Sequence, residues 1–288
     1  MQFDLNLLAA SILCLLPLAF ALMVIFKERK RQHNLNTVPF KELQRRPAGE
    51  TLRIKLEDLD DRISDQTTML MLLPVITVPA LFAIHPKEFV TPSVFFIFSA
   101  GWAWFYGSKL SKTLKCRSNY KLGFDGERYV AEELSRLIAH NFEIYHDVPF
   151  DGFNLDHVLV GSAGIFAVET KTRRKPVNEL GNKEYRVLFD GKCLQWPMGS
   201  DNHGIEQAAN NGRTLSKWLS RAVGENVNVI AILTLPGWMV DRKAPFDGVY
   251  VLNPKEICRV CSSGRANLSE QLVRRICHQL DQKCRIAV

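Results

Sequence analysis

The feature that most constrains this 288-residue chain is an apolar stretch, residues 154–171, that carries three charged side chains. Two runs of mainly apolar residues flank the small-residue sequence Gly161-Ser-Ala-Gly164, which predicts a β-hairpin. Asp156 lies in the first predicted strand, and Glu169 and Lys171 lie at the end of the second. Because a strand inside a core normally excludes charge, these three groups indicate a functional site.

The turn also predicts the register of the hairpin. If residues 161–164 form a symmetric turn, Asp156 falls opposite Glu169. Directly opposed residues of an antiparallel pair lie roughly 4.5–5.5 Å apart and point to the same face. Lys171 shares that face because it lies two residues beyond Glu169 and side chains alternate along a strand.

This arrangement predicts a metal site. Two carboxylates so close together repel each other unless a cation lies between them. Ligand sets made only of oxygen favour a hard ion such as Mg²⁺ or Mn²⁺. The alternative is an ordinary hairpin with charges at an exposed edge, and the apolar residues on both strand faces argue against it. Those residues are Leu155, Val158, Leu159, Val160, Ile165, Phe166 and Val168.

Three apolar runs in the N-terminal part of the chain predict membrane helices. Residues 5–26 are nearly uncharged and long enough to cross a bilayer. Residues 67–84 and 90–107 are separated by a short polar connection and predict a helical hairpin. A cleaved signal peptide is the alternative for the first run, but its basic residues follow the apolar segment instead of preceding it, which favours an anchor.

Basic residues after the first and third runs predict that these flanks are cytoplasmic. The lipid bilayer is therefore an expected partner, and the expected location is the cytoplasmic membrane, with the soluble domain in the cytoplasm. The predicted organisation is a membrane helix (1–27), a charged cytoplasmic linker (28–66), a membrane hairpin (67–107), a soluble domain (108–253) and a helical tail that contains cysteines (254–288).

Apolar residues within the linker recur near helical spacing over residues 53–65, which predicts an amphipathic helix; a solvated linker is the alternative.

The seven cysteines show no pairing typical of an oxidising compartment, so we expect reduced thiols. Four near the C-terminus suggest a zinc or iron–sulfur site, although buried free thiols explain them equally well. These four are Cys258, Cys261, Cys277 and Cys284.

The soluble domain alternates helices and strands, which predicts a mixed α/β sandwich. Predicted helices cover 124–140, 204–221, 254–262 and 267–284, and predicted strands cover 143–149, 153–160, 184–189, 227–235 and 248–252. Glu127 lies on the apolar stripe of the first helix, where a carboxylate is unusual unless it belongs to an exposed first turn. Gln207 lies at the edge of the stripe of the second helix, so periodicity leaves its direction open.

Two further features lie close to the hairpin. The basic run Arg173, Arg174 and Lys175 continues from the second strand and is suited to hold a phosphate backbone, although a basic loop is the alternative. His157 points to the opposite strand face from Asp156, so we expect a packed histidine instead of a catalytic base. The surplus of basic residues after residue 108 is by itself weak evidence for nucleic acid.

Four motifs together resemble the nuclease-related domain (NERD) of the PD-(D/E)xK nuclease superfamily. The resemblance covers roughly residues 120 to 240, and it implies a restriction-endonuclease-like mixed sheet flanked by helices. The motifs are Gly123-Phe-Asp-Gly-Glu127, Asn154-Leu-Asp-His-Val-Leu-Val-Gly161, Gly164-Ile-Phe-Ala-Val-Glu-Thr-Lys171 and Gly204-Ile-Glu-Gln-Ala-Ala-Asn-Asn211.

The resemblance also implies roles for individual residues. Asp156 and Glu169 match metal ligands, and Glu127 matches a helix glutamate that completes the metal site. Lys171 matches the lysine that orients or deprotonates the attacking water, and Gln207 matches a polar residue of the following helix near the phosphate. The expected cofactor is Mg²⁺ or Mn²⁺.

Together these observations predict a membrane-anchored, metal-dependent nuclease that hydrolyses phosphodiester bonds of DNA at the cytoplasmic face. The rival hypothesis is a non-catalytic membrane protein that uses a nuclease-like fold to bind nucleic acid or to serve as a scaffold. A transporter with a cytoplasmic domain has little support, because the predicted membrane runs contain no internal acidic or basic residue.

Overall fold

The computed structural model describes residues 45–83, 90–176, 185–243, 248–264 and 266–285, together with a few isolated positions between 20 and 31. The chain divides into two compact units, Met1–Glu42 with Glu57–Ser118 and Leu43–Leu56 with Asn119–Val288. Every residue predicted for the functional site falls in the second unit.

Two long helices form most of the described chain before residue 135. They are α1 (Glu50–Ala83) and α2 (Val90–Leu134). The helix predicted over 53–65 is confirmed as part of α1, and two of its apolar residues, Leu56 and Leu59, are buried. The helix predicted over 124–140 is the last part of α2, which begins far upstream of residue 124 and passes at Leu134 into a 3₁₀ helix, Ser135–His140.

The predicted membrane helices are not supported by these elements. Among the residues that the structure describes, no helix combines the length and the apolar character that crossing a bilayer requires. The predicted hairpin at 67–84 and 90–107 falls within α1 and α2, and most of the predicted segment 5–26 lies outside the described residues.

Among its described residues, the second unit contains nine strands and three further helices. The strands are β1 (Glu143–Phe150), β2 (Phe153–Gly161), β3 (Gly164–Thr170), β4 (Arg186–Phe189), β5 (Leu194–Trp196), β6 (Gly199–Asp201), β7 (Ile230–Thr234), β8 (Met239–Arg242) and β9 (Val249–Leu252). The helices are α3 (His203–Val223), α4 (Pro254–Ser262) and α5 (Glu270–Cys284). The predicted mixed α/β architecture is confirmed.

A five-stranded mixed sheet forms the centre of this unit, with the order β1-β2-β3-β7-β9. The first three strands are antiparallel neighbours, whereas β3, β7 and β9 run parallel. Strand β3 is buried over nearly its whole length, as expected for a strand that is covered on both faces. Its last residues therefore lie where the antiparallel and parallel halves of the sheet meet.

Apolar side chains cover both faces of the central sheet. Helices α3 and α5 pack on one face, around Val158 and Ala167. The C-terminal part of α2 and helix α4 pack on the other face, around Leu159 and Phe166. The C-terminal helices, predicted as a separate tail, thus contribute to the same core as the sheet.

A second sheet has four strands in the order β6-β5-β4-β8, and the sequence predicted only one of them, β4. Its buried residues, among them Trp196 and Trp238, form a core with the apolar face of α3 and with β7 and β9. The two indole rings meet edge to face at a centroid distance of 4.9 Å. This core packs against the N-terminal half of α3, whereas the C-terminal half of α3 packs in the core that contains α5.

Candidate active site

The β2–β3 hairpin has the predicted register. Pairing runs from the turn at Gly161–Gly164 to His157 opposite Val168. The next opposed positions along the two strands are Asp156 and Glu169. The predicted juxtaposition of these two residues at the open end of the hairpin therefore follows from the observed register.

The carboxylate of Asp156 is held in place by the backbone of β3. The backbone N–H of Thr170 donates to Oδ2 of Asp156 at 2.7 Å. This bond turns the Asp156 side chain toward the end of β3, beside Glu169. Strand pairing and one side-chain hydrogen bond together bring the two carboxylates to the same edge.

Glu169 is buried, with only 5% of its surface exposed. Its Oε2 accepts a hydrogen bond from Nδ2 of Asn211 in α3 at 2.7 Å. Asn211 is itself buried, so this contact lies away from solvent. A buried charge without partners is costly, and Asn211 offsets part of that cost.

Glu127 reaches the site from α2, on the other side of β3. A Cβ atom at the preceding residue, Gly126, would overlap Thr172 Oγ1 and lie 3.1 Å from Thr172 Cβ. The helix therefore approaches the chain just after β3 as closely as a glycine allows. This close approach explains why glycine precedes Glu127 and places the Glu127 side chain, half-buried, near the other carboxylates.

Lys171 continues directly from β3. Its backbone N–H donates to the carbonyl of Thr234 at the end of β7 at 3.0 Å, which extends the parallel pairing by one residue. The stem of Lys171 passes the start of α3, where a Cβ at Gly204 would lie 3.9 Å from its Cγ. The ammonium group acts electrostatically on both Asp156 and Glu169, so Lys171 belongs to the same cluster.

The three carboxylates strongly affect one another's ionisation. Burial, followed by the charges of Asp156 and Asp147, raises the pKa of Glu127 to about 9. Burial, with Asp147 adding to it, raises the pKa of Asp156 to about 7, although the Thr170 N–H and Lys171 oppose the shift. Burial, followed by the charges of Asp156 and Glu127, raises the pKa of Glu169 well above its ordinary value.

These residues fit a hard divalent cation in their chemistry. The donor set is made only of carboxylate oxygens, which Mg²⁺ and Mn²⁺ prefer. Burial, with the neighbouring carboxylates, raises the pKa values of the three groups, and a bound cation would favour their ionised forms. Within the described ranges, however, no group of three or more His, Cys, Asp or Glu side chains is close enough to hold a metal ion together. The pair Asp156 and Glu169 is therefore the better-defined part of the donor set.

Gln207 lies on the face of α3 that points to the cluster. Gly204, beside Lys171, and Asn211, beside Glu169, are three residues before it and four residues after it. Positions with this spacing share one face of a helix. The half-buried Gln207 therefore lies between the two contacts, whereas periodicity alone had left its direction open.

Sequence reasoning missed Asn211 and Asp147. Asn211 lies four residues, about one helical turn, after Gln207 and therefore shares its helix face. Because Gln207 was already a candidate, this spacing could have identified Asn211. Asp147 lies in β1 and is buried, with 4% of its surface exposed. Its partners come from residues about a hundred positions away, and no local pattern indicates them.

The basic run after β3 has several internal partners. Arg173 pairs with Asp201 of β6, and its guanidinium lies 4.6 Å from the ring centroid of Trp196. Arg174 Nη1 donates to the side chain of Asn119 at 2.8 Å. Arg173 therefore ties the end of β3 to the second sheet, which is a structural role in addition to the predicted contact with phosphate.

His157 is a packed histidine, as predicted. Its ring is fully buried, and its Nδ1 lies 2.8 Å from Nδ1 of His146 in the neighbouring strand. Burial lowers the pKa of His146 to about 4, and burial together with the charge of His146 lowers that of His157 well below its ordinary value. Both rings are therefore neutral near pH 7 and belong to the core of the sheet.

The four C-terminal cysteines are not brought together. Cys258 and Cys261 pack with α4 on one face of the central sheet, whereas Cys277 and Cys284 pack with α5 on the other. Burial raises the pKa of the Cys284 thiol to about 11, as expected for an inert core thiol. The suggested zinc or iron–sulfur site is therefore not supported, and the alternative of buried free thiols fits the structure.

Comparison with known proteins agrees with the geometry of the site. A search of curated proteins and a search of solved structures give no match. Residues 122–236 match the family model described as the nuclease-related domain, NERD, and this range includes Glu127, Asp156, Glu169, Lys171 and Gln207. The predicted resemblance is confirmed for this part of the chain, and it suggests a nuclease-like function.

Proposed function

We propose that this protein is a metal-dependent nuclease that hydrolyses phosphodiester bonds of nucleic acid at the end of strand β3. One observation carries the proposal. Asp156 and Glu169, two carboxylates with raised pKa values, lie within electrostatic reach of Lys171, and Glu127, whose pKa is also raised, is acted on by the charge of Asp156. Clusters of this kind are typical of functional sites, because ordinary folding does not require them.

Asp156 and Glu169 are the residues that would hold the cation, with Glu127 on its α2 side. The Thr170 N–H and the Asn211 amide keep the first two carboxylates oriented. When bound, a divalent ion supplies Lewis-acid stabilisation of the charge that develops on the phosphate.

Lys171 and Gln207 act on the other reactants. The Lys171 ammonium has three N–H donors, which can position the attacking water or a phosphate oxygen next to the carboxylates. Gln207 offers an amide donor to the phosphate from the facing helix. Proton transfer from water is assigned to this cluster and not to the buried, neutral His157.

The proposed substrate is DNA, held through its backbone. Arg174 and Lys175 follow the site directly and can contact phosphates on either side of the scissile bond. Magnesium or manganese is the proposed cofactor. Attachment to the cytoplasmic membrane remains a prediction from the apolar runs of the sequence.

The test is cleavage of labelled single- and double-stranded DNA and RNA by the full chain, with Mg²⁺, with Mn²⁺ or with a chelator. We expect metal-dependent cleavage, which Asp156→Ala and Lys171→Ala abolish. Lys192→Ala is the matched control, because it removes an exposed lysine in the turn between β4 and β5 and leaves the cluster intact. Full activity in either site variant would reject the assignment.

One observation favours a second candidate, a nucleic-acid-binding protein without catalysis. Where the structure is described, the carboxylates do not form a preassembled cluster of three metal-ligating groups. Such a protein would retard DNA in a native gel equally well with chelator and with Mg²⁺, and would leave the DNA intact in both. The nuclease hypothesis instead predicts loss of full-length DNA only when the metal is present.

A further inference from the structure

We propose that residues 46–56, which lie outside the family match at 122–236, form a strap that completes the active site by positioning Asp147 and Glu127. This inference rests on the proposed nuclease function. The strap belongs to the same compact unit as the sheet, although more than sixty residues of chain separate the two in sequence.

Asp147 is the hub of the strap's contacts with the sheet. Within the β1–β2 register, His146 pairs with His157 and Val148 pairs with Leu155, so Asp147 falls opposite Asp156. Its backbone is left-handed, with φ of 47°, a conformation that aspartate adopts more readily than most residues. The chain thus has an unusual conformation at the strand position next to a proposed metal ligand.

The strap supplies most of the hydrogen bonds to Asp147. Arg46 Nε donates to Oδ2 at 2.9 Å, and the backbone N–H and hydroxyl of Thr51 donate to the same oxygen at 3.0 and 2.9 Å. Asn154 Nδ2 donates to the second oxygen at 3.0 Å. Because both oxygens already have donors, Asp147 acts as a positioning residue and not as a further metal ligand.

The same strap lies against Glu127. Gly49 has a φ of 75°, and a Cβ atom there would lie 2.8 Å from the Phe124 ring and 3.6 Å from Glu127 Oε2. A residue with a side chain would therefore strain the turn and press on the glutamate helix. Lys55, one turn into α1, adds a positive charge that acts on Glu127.

Charge explains why these contacts matter for the site. Asp147 adds negative charge to a cluster that is already crowded, because it acts on both Glu127 and Asp156. The guanidinium of Arg46 compensates that charge at short range and fixes the carboxylate in one orientation. Without Arg46, Asp147 keeps only its Thr51 and Asn154 donors, and its negative charge beside Asp156 and Glu127 is no longer compensated, which disturbs the metal site.

The neighbouring Arg45 provides a matched control. It forms ion pairs with Glu143 and Asp281 at 2.9 and 2.8 Å, whereas Asp147 pairs with Arg46. Removing either arginine deletes one positive charge and breaks at least one ion pair within the second unit. Only Arg46 touches the carboxylate that borders the proposed metal site.

The experiment is a Mg²⁺ titration of DNA cleavage, with thermal unfolding measured in parallel, on the full chain and its variants. Arg46→Ala is expected to raise the Mg²⁺ concentration for half-maximal cleavage by about ten- to a hundredfold, as is typical when a residue that orients metal ligands is lost. Arg45→Ala is expected to lower thermal stability but to leave the Mg²⁺ midpoint unchanged. Arg46→Lys should recover part of the effect, because it keeps the charge without the two-pronged contact.

Thr51→Val is the second variant, in case Arg46→Ala does not fold. It removes the hydroxyl contact to Asp147 and keeps the backbone one, so a smaller shift of the midpoint in the same direction is expected. The inference would be overturned if Arg46→Ala and Thr51→Val had the same Mg²⁺ midpoint of cleavage as Arg45→Ala. In that case, cleavage by the wild-type chain would still support the proposed function. A wild-type chain that cleaves neither DNA nor RNA with Mg²⁺ would reject both.

Discussion

Replacing Asp156 by asparagine should stabilise the metal-free protein while it destroys the site. The Asp156 pKa is raised from an ordinary value near 3.8 to about 7, so the folded state holds this proton more tightly than the unfolded state does. The stability that this proton contributes is fully present below about pH 4 and is lost as the pH rises through about 7. An asparagine has no proton to lose, and its oxygen can still accept from the Thr170 N–H.

The size of the effect follows from the shift. A tenfold change in proton affinity corresponds to about 1.4 kcal/mol. Raising the pKa from 3.8 to about 7 therefore costs the ionised folded state on the order of 4 kcal/mol near pH 8, which is the most that the asparagine can recover. Glu127 and Glu169 shift in the same direction, so the wild-type protein should lose stability steadily across the neutral range.

The assay is urea unfolding at about pH 5 and at about pH 8 in the presence of a chelator, with tryptophan fluorescence as the signal of unfolding. The wild-type chain should be less stable at the higher pH, and Asp156→Asn should be more stable than wild type there. Added Mg²⁺ should stabilise wild type and not the variant. Asp190→Asn is the control, because the pKa of Asp190 is lowered by backbone N–H donors in an exposed turn. Wild-type stability that is flat or rises with pH in chelator would refute the reasoning.

Two further predictions concern the packing around the site. Gly126→Ala should lower the free energy of unfolding by about 1–3 kcal/mol, because the added methyl group overlaps Thr172; adding Thr172→Ala should recover part of the loss in the same urea assay. Asn211→Ala should cost about 1–3 kcal/mol, because it leaves buried Glu169 without its donor. Asn210→Ala, on the exposed side of the same helix, should cost much less, and equal losses for the two would contradict the assigned contact.

The hairpin and its charged residues were predictable because local rules determine them. A short turn fixes the register, and alternation along a strand then decides which side chains face each other. The position of Glu127 was also predictable, since helical periodicity placed a carboxylate on an otherwise apolar stripe. Local patterns therefore sufficed to predict which strand or helix carries Asp156, Glu169, Lys171 and Glu127; their roles in a site stay a prediction.

The remaining features depend on contacts that no local pattern encodes. Strands β5 and β6 have three residues each, too few to show an alternation. Leu194 and Trp196 of β5 are buried in the core that includes α3, and β6 is held by its pairing with β5. The helical period over 53–65 covers only the last residues of the strap, and the contact of Arg46 with Asp147 joins residues about a hundred positions apart. Asp147 itself resembles an ordinary polar residue of a strand edge in the sequence.

The central claim is that Asp156 and Glu169 together bind a divalent cation, and calorimetric titration of the chain with Mn²⁺ tests it most directly. The account predicts saturable binding to wild type near neutral pH, weakened severely by Asp156→Ala and by Glu169→Ala and unaffected by Asp190→Ala. Binding should release protons, because the carboxylates with raised pKa values must ionise to coordinate the metal. No heat of binding with wild type, or equal binding by the site variants, would contradict the account.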